Sequence, residues 1–367
     1  MSSDDQGFEF ASAAVQVERA VAELRYGRPV LLEDGRRTLA ALALDSAAPA
    51  VYDRFAAAVD GRHSLLLTAN RAMRLMPRVD RDIAVPLSGV SFDEASRLAY
   101  ALGQPAPDRW SPADPLTSVS AELARMALLL PAMVCADVSA AGRRFDGCCR
   151  LDRSLLAPAG SQRQKFHIVV RTRVPLRDLG DCEFVVFRGG LAQKDQIAIV
   201  VGSPDASRPV PVRIHSSCIT GDLCGSLKCD CGDQLRNGLA SMKAAGGGVL
   251  LYLDQEGRGT GIGAKMRAYG YQHQGLDTID ADAELGYDVD HRRYEAAVAM
   301  LELLQIGKVV LFTNNPTKIA ALRSAGIEVE SRVPVTGEVT IENVAYLQTK
   351  KERAGHLLDI RALLAAE

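Results

Sequence analysis

The sequence predicts two α/β (α+β) domains in tandem, on three observations. Its 367 residues are enough to build two hydrophobic cores. Through about residue 150, alanine-rich helical stretches alternate with short apolar runs, whereas from residue 166 short strands and turns dominate. Between them residues 151–165 are turn-rich and basic and read as a linker. The expected division is therefore 1–150, a linker over 151–165, and 166–367.

In the first half, Val15, Val17, Ala20, Val21 and Leu24 share one face and predict a helix over residues 12–27. Pro29–Leu32 and Ser64–Thr68 read as short buried strands. Ala121–Pro131 reads as an amphipathic helix followed by a strand at Ala132–Ala136, and Pro105, Pro107, Pro112 and Pro115 mark surface loops. In the second half, strands are expected at His167–Arg171, Glu183–Phe187, Gln196–Val201 and Pro209–Ile214, with a helix over Leu235–Ala244. Val249–Leu253 is a buried strand running into the glycine-rich loop Asp254–Gly263 and a helix over Ala264–His273. That order predicts a phosphate cradle, in which glycines let backbone N–H groups approach an anion and Arg258 adds a fork of donors. Asp290 reads as an N-cap before a helix at Glu295–Gln305. Lys308–Thr313 is a strand with Thr313 and Lys318 at its carboxyl end, where open sheets of this class bind ligands. The charged helical tail after Asn343 carries no chemistry that the sequence betrays.

Hydrophobic residues make up 47% of the chain, charged residues 24%, and the net charge is -2. That balance gives no bulk attraction to nucleic acid or membrane, so an anionic ligand must be held by local cations. No apolar run approaches spanning length, and the acidic start Met1–Asp5 is unlike a secretory signal. Clustered thiols without a disulfide framework suit a reducing, cytoplasmic setting.

The chemistry concentrates in His215–Leu235, which holds four of the eight cysteines, Cys218, Cys224, Cys229 and Cys231. In an extended segment Cys229 and Cys231 would project to one side, and Cys218 folding back would complete a three-thiolate site suited to zinc. The other reading, buried reduced cysteines packing as small apolar residues, fits poorly with Asp222, Lys228, Asp230 and Asp233 among them. Cys224 leaves two options open. Four thiolates would close the site and make it structural, whereas three leave one position for water.

Residues 166–367 resemble GTP cyclohydrolase II through Arg-Ile-His-Ser-Ser-Cys, Lys-Cys-Asp-Cys-Gly, Gln-Glu-Gly-Arg, Met-Arg-Ala-Tyr, Leu-Gly-Tyr, Asp-His-Arg and Thr-Asn-Asn-Pro. The resemblance implies a mixed-sheet domain, zinc on Cys218, Cys229 and Cys231, and a bystander Cys224. It implies GTP contacts from Arg213, Ile214, His215, Ser216, Ser217, Gln234, Glu256, Gly257, Arg258, Thr278, Thr313 and Lys318. Tyr269 falls on the family's active-site tyrosine, Asp290 on its proton acceptor and Arg292 on its proposed nucleophile. The implied reaction converts GTP, with magnesium on its triphosphate, to 2,5-diamino-6-(5-phosphoribosylamino)pyrimidin-4-one, formate and diphosphate in a homodimer. Deprotonating Arg292 near neutral pH would cost about 9 kcal/mol, which favours a cation that stabilises charge at the α-phosphate. Ser217 and Lys228 depart from the glutamate and arginine usual there, and leave a related purine nucleotide possible. A regulatory zinc- and nucleotide-binding protein without turnover is the other class of reading.

The front half resembles dihydroxybutanone-phosphate synthase in its order of elements, in Gly27–Asp34 and in the Leu-Ala-Arg helix ending near Pro131. That activity needs a dense acidic loop for magnesium, and here only Glu33 and Asp34 remain. Its histidine-threonine-glutamate step falls at Leu116–Ser118, without base or ligand. A catalytically inactive front domain is expected.

Overall fold

The described residues of the computed structural model, 12–157, 166–190, 194–288 and 292–359, fall into two units. One comprises Met1–Gln162 with Met266–Tyr271 and Asp280–Val289, and the other Arg163–Lys265, Gln272–Ile279 and Asp290–Glu367. Among the described residues, no helix is long and apolar enough to cross a membrane.

The first unit opens with helix α1 (Ala13–Arg25), capped where the Ser12 hydroxyl accepts from Val15 N–H, and burying Val17, Ala20, Val21 and Leu24 as the periodicity predicts. Gly27 ends it at φ +67°, where a Cβ would meet the Ser46 carbonyl oxygen at 2.5 Å. A mixed sheet follows, built from β1 (Val30–Glu33), β2 (Thr38–Ala43), β3 (Ser64–Leu67), β4 (Ile83–Pro86), β5 (Ser111–Pro112), β6 (Met133–Asp137) and β7 (Cys149–Asp152). Its order is β5-β4-β3-β6-β2-β1-β7, antiparallel throughout except for β1 with β7.

Two expectations shift here. The helix read from Ala121 starts at Pro115, because Asp114 accepts from Leu116 and Thr117 N–H and proline is preset for the first helical turn. It ends at Met126 rather than Pro131, since Leu128 turns the chain at φ +58°. Residues 151 and 152 belong to β7, where Leu151 is fully buried opposite Leu32. The remnant acidic loop is spent locally: Asp34 accepts from Arg36 and Arg37 N–H at 3.0 and 2.9 Å, and Glu33 pairs with Arg150. The later segments are tied in by charge, with buried Glu284 accepting from Arg71 and Arg74, and Arg267 pairing with Asp45 at 2.9 Å.

In the second unit β8 (His167–Leu176), β9 (Gly180–Arg188) and β10 (Asp195–Gly202) form an antiparallel meander. β11 (Val210–Ser216), β12 (Gly247–Leu253), β13 (Lys308–Phe312) and β14 (Glu328–Val333) continue it in the order β14-β13-β11-β12-β10-β9-β8. β12, β11, β13 and β14 are mutually parallel, so their carboxyl ends share one edge. The second unit also holds α6 (Cys231–Ala244), α9 (Glu295–Leu303), α10 (Pro316–Ser324) and α11 (Val344–Glu352), while α7 (Ile262–Gln272) and α8 (Thr278–Glu284) are divided, Met266–Tyr271 and Asp280–Glu284 counting with the first unit. The N-cap of α9 is Tyr294, not Asp290, which lies outside the described residues.

Buried His63 packs edge-on against Tyr52, with ring centroids 5.6 Å apart, and burial pushes its pKa below the ordinary 6.5. A histidine kept neutral by the fold contributes stability that is complete above its unfolded pKa. That stability is lost as pH falls from there toward the lower folded value. Thermal melts between about pH 7.5 and about pH 5.5 should therefore show a fall in Tm that is shallower in His63→Gln, which cannot titrate. Equal slopes for the two proteins would remove His63 from the account.

Candidate metal centre

β11 delivers Ser216 and Ser217 to the sheet edge, and Cys218 follows as the chain leaves it. A wide turn, Ile219–Leu223, brings the backbone back so that Gly221 lies under the sulfurs of Cys218 and Cys229. Cys229 and Cys231 are not in an extended segment, which corrects the geometry read from their spacing. Asp230 is the N-cap of α6 and Cys231 its first residue. The thiols converge because a helix begins between them. The three sulfurs lie within 4.8 Å of one another, Cys218 to Cys229 at 3.7 Å. They form the one such metal-ligand group found among the described residues. Cys224 is exposed and stands outside it.

Gly221 makes the convergence possible. A Cβ there would lie 2.9 Å from the Cys229 sulfur and 3.2 Å from that of Cys218. Gly232 crosses it so closely that its own Cβ would meet the Gly221 carbonyl oxygen at 2.3 Å. The Cys218 thiol is pushed far down by hydrogen bonds from Cys229 and Cys231, against burial, with help from Thr220 and Lys265. Those of Cys229 and Cys231 are raised, each chiefly by its bond to Cys218. Such a trio holds its remaining protons until a cation displaces them.

Asp222 ties the turn to the sheet. Its carboxylate accepts from Cys218 N–H at 2.9 Å, from the Tyr252 hydroxyl at 2.9 Å and from His215 Nε2 at 3.0 Å. His215, stacked on Tyr252, is therefore the Nε2–H tautomer with Nδ1 toward Arg213, and burial lowers its pKa. Arg213 is buried, donates to the Gln234 Oε1 at 2.9 Å and to the Phe312 carbonyl, and is pushed down to about 10 by desolvation. Gln234 passes the connection on by donating to Asp230. Lys265 donates to the Cys218 sulfur at 3.1 Å, to Thr220 at 2.9 Å and to Glu256 at 2.8 Å, while Ile219 N–H holds the other Glu256 oxygen at 2.7 Å.

The remaining candidates are placed as follows. Ile214 is fully buried in β11, and its carbonyl accepts from Lys318 Nζ at 2.7 Å. Ser216 accepts from Gln255, whose Oε1 accepts from Arg293 N–H at 3.1 Å, next to half-buried Arg292. The Ser217 hydroxyl is buried and has no hydrogen-bond partner among the described residues. Thr313 accepts from Asn315 N–H at the head of α10. Thr278 accepts from Gln272, and half-buried Tyr269 lies on α7 among the residues that count with the first unit. Asp290 lies outside the described residues.

The glycine loop departs from the expected cradle. The N–H groups of Gly259, Thr260 and Gly261 donate to carbonyls of Gln255, Glu256 and Gly257 inside the loop, so they do not face an anion. What the loop offers instead is the Arg258 side chain, carried at φ +60°, a strained conformation of the kind found at functional sites. Asp222, Lys265, Gln255 and Tyr252 were not singled out from sequence. Their roles depend on partners 30 to 47 positions away, which spacing does not reveal. A cavity of about 540 Å³ lined by Gly202, Val210, Val249 and Ile306 sits at the opposite, amino-terminal ends of the parallel strands.

Asp222→Asn would set an amide N–H₂ against at least one of three donors. A loss of about 2 kcal/mol in urea-unfolding stability is expected from hydrogen bonds to a charged acceptor. An unchanged midpoint would show the carboxylate is not the tie.

A family model described as GTP cyclohydrolase II matches residues 167–334. A GTP cyclohydrolase-2 from Xylella fastidiosa (strain 9a5c) is 55% identical over 359 residues, covering 96% of this chain and 90% of that one. A GTP cyclohydrolase-2 from Azospirillum brasilense is 37% identical over 362 residues, 93% of each chain. A riboflavin biosynthesis protein RibBA from Bacillus mycoides (strain KBAB4) is 45% identical over 183 residues, 50% of this chain and 46% of that one. With likeness covering nine-tenths or more of both GTP cyclohydrolase-2 relatives, and the cysteine motif folded into a sulfur triad, the chain belongs to the GTP cyclohydrolase II family of hydrolases.

Proposed function

We propose that this protein is a zinc-dependent GTP cyclohydrolase II of riboflavin biosynthesis. It converts GTP to 2,5-diamino-6-(5-phosphoribosylamino)pyrimidin-4-one, formate and diphosphate, and its front half has no synthase activity. The observation that carries the reading is the convergence of Cys218, Cys229 and Cys231 over bare Gly221. Tetrahedral zinc with sulfur ligands at 2.3 Å needs sulfurs about 3.8 Å apart. The Cys218–Cys229 separation of 3.7 Å fits that requirement. Zinc, when bound, supplies Lewis-acid chemistry for the hydrolysis and keeps a fourth position open to a non-protein ligand.

The surrounding residues hold and select the substrate. Lys265 and Ile219 N–H each hold one oxygen of the Glu256 carboxylate and fix its position. A carboxylate matches the adjacent N–H donors of a guanine edge, whereas adenine would leave it facing a ring acceptor. Arg258 and Lys318, with a magnesium ion brought by the nucleotide, share the triphosphate charge. Arg292 acts as a fixed cation at the α-phosphate, alongside the roles assigned to Tyr269 and Asp290. Arg213 to Ser217, Gln234, Gly257, Thr278 and Thr313 complete the substrate contacts of this reading, and the homodimer goes with it. For the front half, the support is that Glu33 and Asp34 are each taken by neighbouring groups, and that Thr117 donates to Asp114. The relatives matched over nine-tenths of their length are named GTP cyclohydrolase-2.

Purified protein given GTP and magnesium should release formate and diphosphate, and should leave ribulose 5-phosphate unchanged. Cys229→Ser should lose both zinc and turnover, while Cys224→Ser should keep both within about two-fold, as expected for a surface thiol outside the ligand set. Binding of GTP without turnover would favour a regulatory protein instead. Loss of zinc in Cys224→Ser would mean a closed four-thiolate site.

A further inference from the structure

Residues beyond 334 lie outside the stretch matched by the family model, and the sequence assigns no chemistry to the tail after Asn343. In the fold they run across the turn that carries two of the three sulfurs. Asn237 Nδ2 donates to the Thr336 carbonyl at 2.8 Å, Glu338 N–H to Asp233 at 3.4 Å, and the Thr340 hydroxyl to the Leu227 carbonyl at 3.4 Å. Gly337 passes so close that a Cβ would lie 2.8 Å from the Asp233 Cβ and 2.9 Å from the Asp230 Cβ. Buried Asn343 folds the segment on itself, accepting from Thr340 N–H and donating to the Glu338 carbonyl, both at 2.9 Å. From α11, Lys350 then reaches back to Asp230, Nζ to Oδ1 at 2.9 Å, beneath the ring of Tyr346.

The Asp230 side chain is 2% exposed and that of Lys350 17%, so this ion pair is shielded from water. Removing one member would leave the other charge buried and uncompensated, a far larger disturbance than losing a surface pair. Asp230 lies between Cys229 and Cys231 in the chain and caps α6. Its second oxygen accepts from Gln234, which holds Arg213. The tail lysine is therefore one link from the backbone of two thiols and three links from a buried arginine of β11.

We propose that Thr336–Lys350 is a strap that sets the conformation of the Cys229–Cys231 turn, with Lys350 its positioning residue through Asp230. Its consequence for metal retention rests on the zinc reading above, but the strap itself does not. The strap's own contacts are made to backbone groups and to Asp230, Asp233 and Asn237, none of which is a proposed metal ligand.

The test uses the full-length protein, loaded with zinc, and three substitutions. Lys350→Met keeps length without charge, Lys350→Arg keeps charge, and Gly337→Ala crowds Asp230 and Asp233 and so forces strap and turn apart while both charges of the ion pair stay in the chain. Two readouts are taken: the rate of zinc loss to an excess of chelator, and hydrogen exchange of backbone amides in residues 229–236 compared with β10 to β12. Lys350→Met and Gly337→Ala should release zinc about 10- to 100-fold faster, the range typical of residues that orient metal ligands. They should also speed exchange in 229–236 while the sheet strands stay protected, and Lys350→Arg should recover most of both. Unchanged zinc release and exchange in Lys350→Met would overturn the proposal. So would loss of protection across the whole sheet in Gly337→Ala and Lys350→Arg alike, since the tail would then be a general folding element. If the unsubstituted protein retains no zinc, the metal reading fails by itself, and exchange in 229–236 still decides the strap.

Discussion

The crossing of Gly221 and Gly232 is the constraint on which the second unit's chemistry rests. Two backbones approach there to a distance that no side chain would permit, and the result is three sulfurs gathered over a patch of bare main chain. Neither glycine is needed for a positive φ, since neither has one. They are needed for contact. Asp222 then locks the crossing by taking three donors at once, from the turn, from β11 and from β12. Because β11 and β12 are parallel, with His215 beside Tyr252 and Ser216 beside Leu253, the groups Asp222 collects emerge at the same sheet edge.

That parallel register explains how distant motifs become one site. Ser216 ends β11, Leu253 ends β12 and Phe312 ends β13, so the residues just beyond them meet without long connections. Gln255 joins Ser216 to the backbone next to Arg292, and Lys318 returns from α10 to the carbonyl of Ile214. From the meander, Gln196 accepts from Asp254 N–H and fixes where the glycine loop leaves the sheet.

Much of this was legible because local sequence carries it. Apolar runs located the strands, and the cysteine spacing with its polar neighbours singled out the metal turn. What spacing cannot carry is backbone conformation at a boundary. Cys229 and Cys231 are compatible with a strand by count, and only the cap at Asp230 shows that a helix starts between them. The glycine loop misled for a related reason. Glycine permits an anion-binding nest, but it equally permits N–H groups to fold back on their own loop, as those of Gly259, Thr260 and Gly261 do. Lys350 was invisible because a charged residue in a charged helix looks solvated until its partner, 120 positions earlier, is known.

The charge around the sulfurs follows from these contacts. Three thiolates with one divalent cation, as in the proposed reading, carry a net negative charge, which weakens the metal as an acid and repels a triphosphate. The chain as a whole, at -2, offers no correction. Correction is local: Lys265 sits against Cys218, Arg213 lies behind the turn, and Lys318 is held at the edge of β11. A lysine hydrogen-bonded to a ligating sulfur draws electron density from it and so restores acidity to the metal, while its own charge helps offset the ligand set. Because Lys265 also grips Glu256, the same ammonium that adjusts the sulfur fixes the carboxylate proposed to read the purine. In that reading, metal acidity and base selection both depend on one side chain.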